Sequence, residues 1–298
     1  MDINAANLLA LNTAYNVAFN ERLTGVESTY TKIAMTVPSS TKSQGYPKLS
    51  ELRGMREWVG ERHKERLTVD GFEITNRKFE NTVVVGADEI ADDQHGIYGT
   101  FFGDMGQTTA ELPDELVWEQ LEKGFDTAHY DEQFFFDTDH PVEDENGVEQ
   151  SVSNFGGGSG SAWYLVDDSR MIMPIIFQDR EAARMTSLTN LTDANVAERD
   201  EFEWFAKRRC AAGFGAWQLI YASRQPLTAA NYAAARRAML EMRGHRGRKL
   251  NLRPRLLVVS AASEEPAREI LLSERAANGS TNPWRNTAEL HVETRLTL

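Results

Sequence analysis

The stretch Arg56–Val85 reads REWVGERHKERLTVDGFEITNRKFENTVVV. Val69, Phe72 and Ile74 flank Asp70-Gly71, a dipeptide suited to the φ > 0 positions of a tight turn, so the spacing predicts a long β-hairpin over 56–85. Its arms carry Arg62, Lys64, Arg66, Arg77 and Lys78 and few large apolar residues, so neither face is expected to bury much against its own domain. A two-stranded ribbon is marginal alone in water, so the ribbon is expected to lie on another subunit or a partner.

Upstream, Leu8, Leu11, Tyr15, Phe19 and Leu23 recur at three- and four-residue intervals and predict an amphipathic helix over 5–23. Thr36 to Pro47 is rich in Ser, Thr and Pro without helical or strand period, and reads as an extended arm. Downstream, Phe101, Met105, Leu112, Leu116 and Leu121 predict one long helix over 97–124, kinked or restarted at Pro113 and stopped near Gly124. Tyr130, Phe134, Phe135 and Phe136 form an aromatic cluster ahead of an acidic loop through Glu149. Gly156 to Gly160 reads as a flexible turn or loop, Trp163–Val166 and Met171–Phe177 as short strands, and 201–221 as core. The last third alternates helix and strand. Thr228 caps a helix to about Met242, Leu256–Ser260 is a buried strand, Ser263 caps a helix to about Ser273, and Leu290 to Leu296 alternates as a final strand.

A chain of 298 residues and 33.5 kDa holds one large domain or two small ones, with enough surface to bury that no disulfide is needed. The single Cys210 excludes an intrachain disulfide and any multi-cysteine zinc site. No apolar run approaches a membrane span, and the first residues lack the blocks of a signal peptide, so a soluble intracellular protein is expected. The net charge of −13 is unevenly spread. Residues 86–150 hold 19 acids and one cation, Lys123, while 224–255 hold nine cations against Glu241. The polarity fits either solvated faces or a basic patch on one copy meeting the acidic patch of the next.

Enzyme signatures are missing. Neither phosphate-cradling glycine pattern, nor His-Glu-x-x-His, nor the Gly-x-Ser-x-Gly elbow occurs. Asp137-Thr138-Asp139-His140-Pro141, with His129 and Asp131 upstream, offers carboxylates and an imidazole to a divalent ion, but the same residues make a turn. A metal-dependent enzyme using Asp137, Asp139 and His140 therefore stays open as an alternative. Cys210 lies beside Arg208 and Arg209, between Phe205 and Phe214, and reads as buried. The basic stretch 224–255 lacks interleaved aromatics, which weakens a nucleic-acid reading.

A docking helix, an extended arm, a charged ribbon and opposed charge patches suit assembly. Particular stretches carry a resemblance: Met55-Arg56-Glu57-Trp58-Val59-Gly60, Ile74-Thr75-Asn76-Arg77-Lys78-Phe79-Glu80, Asp92-Asp93-Gln94-His95-Gly96-Ile97-Tyr98 and Pro113-Asp114-Glu115-Leu116-Val117. Phe135-Phe136-Asp137-Thr138-Asp139-His140-Pro141, Val152-Ser153-Asn154-Phe155, Gln225 to Tyr232, Arg253-Pro254 with Leu256 to Val259, and Thr281-Asn282-Pro283-Trp284 continue it. With these, the chain resembles the Mu-like tailed-phage major head (capsid) subunits across nearly its full length.

That resemblance implies an α+β protein with the tailed-phage major capsid fold. Its parts would be an N-terminal arm (1–50), an extended loop (51–86), a mainly peripheral domain with a spine helix (87–224, helix about 97–124), a mainly axial domain (225–285) and a returning C-terminal strand (286–298). It implies a structural subunit, no enzyme and no cofactor, that self-assembles into the hexamers and pentamers of an icosahedral head enclosing double-stranded DNA. The implied partners are a scaffold protein, a maturation protease, the portal, decoration proteins and non-specifically held DNA, with no membrane. Assembly would occur in the bacterial host cytoplasm, and the chain would be either mature or served by a separate scaffold. The subunit interface is expected at Trp58, Arg62, Lys64, Arg66, Asp70, Gly71, Phe72, Arg77 and Lys78 in the loop, and at Arg243, Arg246, Arg248 and Lys249 in the axial region. Lys64 and Lys78 lie where some related capsids cross-link, but no local pattern marks an acceptor and no cross-link is expected. Encapsulin-like shells share this fold and remain the structural alternative.

Overall fold

The computed structural model of the chain describes residues 2–47, 72–93, 96–276 and 278–297. Asn4 caps the first helix, α1 (Ala5–Gly25), its side chain accepting the Asn7 N–H. Strands β1 (Ala34–Pro38), β2 (Ser43–Tyr46), β3 (Phe72–Thr75) and β4 (Arg77–Gly86) follow, then the short α2 (Ala87–Asp92) and the long α3 (Tyr98–Glu122). β5 (His140–Glu143), β6 (Glu149–Val152), β7 (Phe155–Gly158), β8 (Trp163–Val166) and β9 (Ile175–Leu188) lead to α4 (Ala194–Arg199) and β10 (Glu201–Phe214). The chain closes with β11 (Ile220–Arg224), α5 (Ala229–Glu241), β12 (Leu256–Val259), α6 (Glu264–Leu272) and β13 (Glu289–Val292).

Two sheets organise these elements. The four-stranded sheet runs β1-β9-β10-β4 and the five-stranded sheet β13-β12-β8-β11-β7; β2–β3 and β5–β6 are separate antiparallel ribbons. Helices α1 and α3 cross closely because Gly106 faces the α1 backbone: a Cβ there would lie 2.2 Å from the Phe19 carbonyl oxygen. Around that crossing, Leu8, Tyr15, Phe19, Phe102, Met105, Phe202 and Trp204 form one apolar cluster. A larger one packs the C-terminal half of α3 (Leu116, Val117, Trp118, Leu121) with the five-stranded sheet and helices α5 and α6. The two halves of α3 therefore serve different cores. Between them α3 runs through Pro113, which leaves the Thr109 carbonyl without its usual donor. The next residue, Asp114, is buried, and its carboxylate accepts the backbone N–H groups of Thr29 (2.8 Å) and Tyr30 (2.6 Å).

Several expectations are corrected. The first hairpin arm (56–69) and the Asp70-Gly71 turn lie outside the described residues. β3 pairs with β2, and β4 pairs with β10 over ten positions, from Arg77↔Cys210 to Gly86↔Glu201. This half of the stretch also buries more than its composition suggests: Ile74 and Val85 are buried, and Asn76 ties its amide to Ser39 Oγ and the Thr41 carbonyl. The Ser/Thr/Pro stretch forms β1 and β2, because backbone pairing with β9 and β3 needs no apolar alternation on the added strand. Part of the glycine run is strand β7 beside β11. Gly158, at φ 95, lets the two backbones approach so closely that a Cβ would lie 2.3 Å from Arg224. Phe101 is exposed and Phe102 takes its place in the core. Ser263 makes no side-chain cap, since a tight turn (Ala261–Ser263) leads into α6 instead. The last strand ends at Val292, before Thr294.

Candidate assembly surfaces

Of the residues expected at the interface, Trp58, Arg62, Lys64, Arg66, Asp70 and Gly71 lie outside the described residues. Phe72, at the start of β3, stacks on Tyr46 (ring centroids 5.5 Å) and approaches His129 (5.0 Å). It lies at one end of a groove of about 400 Å³ walled by β3, the C-terminal half of α3 and the end of β10, with Arg77 at the rim. Arg77 also covers the Phe79 ring at 5.0 Å, and Lys78 points outward from β4. His129, in the groove wall, donates from Nε2 to the Gly215 carbonyl (3.0 Å); burial pulls its pKa down to about 4 despite that bond. The groove thus joins β3 to the long helix, which composition alone does not foretell.

Arg243, Arg246, Arg248 and Lys249 come together on one loop between α5 and β12, all exposed. Arg243 closes it by donating to the Gly247 carbonyl at 2.8 Å. Arg246 and Gly247 both have positive φ (61° and 68°), so the loop turns sharply and holds its cations outward. One part of the acidic region lies beside this loop. The β5–β6 ribbon packs beside this loop, with His245 Nε2 3.4 Å from Glu143, and a Cβ on Gly247 would lie 3.2 Å from the Glu145 nitrogen. The charge contrast is therefore a seam inside one chain, where the sequence suggested two separate faces.

The candidate metal cluster is dispersed by its packing. His140 is fully buried, stacked on Trp217 at 3.8 Å. Its Nδ1 meets Asp131 (2.7 Å) and its Nε2 meets Asn154 Oδ1 (3.2 Å). Asn154 donates its amide to the Phe135 and Trp217 carbonyls, so its oxygen is the atom facing the imidazole. Both ring nitrogens are engaged, while Asp139 is exposed. Among the described residues, no group of three or more His, Cys, Asp or Glu is placed to hold a metal ion. The Cys210 thiol is buried and pushed up to about 11 by desolvation, which the neighbouring arginines do not offset.

Two polar nodes carry no local sequence signal. Thr29 Oγ1 accepts from Trp118 Nε1 (3.0 Å) and donates to Glu293 (3.0 Å), linking the N-terminal segment, α3 and the C-terminus. Burial alone would raise the Glu293 pKa. Bonds from His291, the Arg295 N–H and Thr29, with the Arg295 charge, overcome it and hold the carboxyl at about 2. The second node is a ladder across β9 and β10, Asp179–Arg208 (3.0 Å) and Glu181–Arg209 (3.1 Å), at a register shift in the pairing.

Comparison with known proteins settles what such a scaffold is. Residues 8–296 match the family model described as the Mu-like prophage major head subunit gpT. The chain is 37% identical over 287 residues to the major capsid protein of Escherichia phage Mu, covering 94% of each. It is likewise 37% identical over 278 residues to the Mu-like prophage FluMu major head subunit of Haemophilus influenzae, covering 91% of this chain and 90% of that one. Among solved structures, a subunit of the procapsid of bacteriophage JBD30 superposes with a TM-score of 0.88 at 37% identity, covering 99% of this chain and 100% of that one. A subunit of the JBD30 capsid superposes at 0.79 with 28% identity over 100% of both chains. The chain belongs to the Mu-like major head subunits: it is a structural subunit of a phage head, with the α+β capsid fold of that family.

Proposed function

We propose that this head subunit forms its hexamers and pentamers by laying the extended loop of one copy on the groove of the next. The observation that supports the reading most is the groove of about 400 Å³, which opens where β3 enters from the loop and is floored by the long helix. In this reading residues 1–50 are the arm and α3 is the spine of the peripheral domain. The five-stranded sheet with α5 and α6 builds most of the axial domain, and the 243–249 loop faces a neighbour around the ring. Many modest contacts of this kind multiply into a durable shell, and ring-to-ring variation is absorbed by the arm and loop. A scaffold protein, a maturation protease, a portal and decoration proteins would act on the shell in the host cytoplasm. The JBD30 capsid is known in a form decorated with minor capsid protein trimers. DNA would be held inside without sequence preference. The role is structural and not enzymatic, a reading favoured by the complete use of His140 in packing.

The test is a loop deletion. Tyr46 pairs with Phe72, so replacing residues 47–71 by Asn-Gly closes a two-residue hairpin without disturbing β2 or β3. The expected product is a folded chain that forms no shells by electron microscopy where the intact chain does. Normal shells from the shortened chain would refute the proposed role of the loop.

A further inference from the structure

A cavity of about 380 Å³ opens between the β5–β6 ribbon, residues 130–132 and the start of the basic loop. Asp131, Glu132, Glu143, Glu149, Trp217 and His245 line it. Among the described residues of the lining, four carboxylates face His245 as the one basic side chain, and His245 pairs with Glu143. Asp131 is the telling member. Its side chain is only 8% exposed and one oxygen is taken by His140, yet its other oxygen, Oδ1, has no hydrogen-bond partner among the described residues. A buried carboxylate oxygen is costly to leave without a donor, so this oxygen would gain from one supplied by another molecule. Trp217, buried and stacked on His140, contributes to the lining beside Asp131.

The loop that forms one wall supplies only Gly244 and His245 to the cavity. Its exposed Arg246 and Lys249 are absent from the lining and meet no partner among the described residues. Each copy thus presents an unfilled acidic cavity and an outward cationic loop side by side. Unlike, complementary surfaces on one subunit can meet head to tail, the kind of contact that closes the rings of a head subunit. We propose that Arg246 of one copy, flanked by Lys249, enters the acidic cavity of the next copy, where a planar guanidinium can engage Asp131 and its neighbours. This rests on the reading of the 243–249 loop as an interface and names its acceptor.

The experiment uses two full-length variants whose changed residues are exposed: a cavity variant, Glu132→Lys with Glu149→Lys, and a loop variant, Arg246→Glu with Lys249→Glu. Both should keep the circular dichroism and melting temperature of the unaltered chain. Under conditions where that chain forms heads, each alone should lose shells by about tenfold or more, one repelled contact being repeated around every ring. Mixed together, the two variants can alternate, so six-membered rings, tubes or sheets should return. Closed shells should not, because a five-membered ring cannot alternate. Both pairs of changes in one chain should restore closed shells. If the loop variant fails while the cavity variant assembles normally, the loop is an interface and the cavity is not its acceptor, and the inference falls alone. If both assemble normally, the inference and the interface reading of the loop fall together. Restoration by the combined chain without any in the mixture would place the contact within one copy and overturn the inference. So would failure of both variants with no restoration in either form.

Discussion

The two sheets of this subunit differ in almost every respect. In the five-stranded sheet, β8 (Trp163–Val166) and β12 (Leu256–Val259) are four residues long and buried at every position. In the four-stranded sheet, β9 and β10 are fourteen residues long, and the outer half of β9 alternates exposed and half-buried side chains. Its charges cross-link neighbouring strands at Asp179–Arg208 and Glu181–Arg209, and it has a ten-residue edge in β4. A sheet buried on both faces draws its stability from apolar area removed from water, so it is compact and rigid. A long ribbon covered on one face by α1 and α3 draws on cross-strand pairs and helix packing, each worth less per residue. The compact sheet suits a fixed body, and the long one suits reach towards neighbours.

That contrast can be broken at its strongest point first. Leu257→Ala in β12 removes a fully buried side chain and should lower unfolding free energy by about 2–5 kcal/mol, read from the urea midpoint of the unassembled chain. Because the site belongs to the larger core, hydrogen-exchange protection should fall in β8, β11 and β12 together. Protection lost only locally would show that the five-stranded sheet is not the cooperative centre.

A smaller effect should sharpen the contrast from the other side. In Gly106→Ala the new Cβ meets the Phe19 backbone, which cannot yield as a flexible side chain would. Overpacking of this kind costs about 1–3 kcal/mol. The loss should appear as faster exchange in α1 and β4 while β8 and β12 stay protected. Equal loosening of both sheets would mean that α3 couples them more tightly than its two separate clusters imply.

A further, graded change is made with acid. His129 has a folded pKa lowered from 6.5 to about 4, so its contribution is full above pH 6.5 and is lost as pH falls towards 4. Glu293 has a folded pKa lowered from 4.5 to about 2, so its contribution is full above pH 4.5 and is lost as pH falls towards 2. The melting temperature of the unassembled chain should therefore drop by a few degrees in each window. His129→Gln should flatten the upper window and Glu293→Gln the lower one. An unchanged profile in either variant would remove that residue as the cause.

Legibility in the sequence followed the same division. Leu256 to Val259 and Trp163 to Val166 are uninterrupted apolar runs, and they are strands of the inner sheet. Thr228 does cap α5, accepting the Asn231 N–H, because capping depends only on neighbours three residues away. The long sheet was harder to read. The strands after Asp70-Gly71 pair with partners from 43–46 and 201–210, which no local pattern announces. Long-range pairing obeys backbone geometry and leaves no local trace. The candidate metal cluster was misleading for a related reason: spacing along the chain says nothing of Asn154, which meets His140 Nε2, or of Trp217, which stacks on its ring.

The sequence by itself determined the elements that depend on neighbours a few residues apart: the helices near 5–25, 98–122 and 229–241, the buried strand runs, the absence of enzyme signatures, and the polarity of charge. Through many ordered matches it also carried the family. Only the tertiary structure decided which strands pair, that the acidic ribbon and the basic loop lie side by side, and that Asp114, Glu293 and Asp131 are buried at junctions. The physical reason is one of range. Periodicity and capping are set within one or two turns of chain, whereas burial of a charge and the partner of a strand depend on residues brought together from many turns away, in β4–β10 and Thr29–Glu293 from more than a hundred positions.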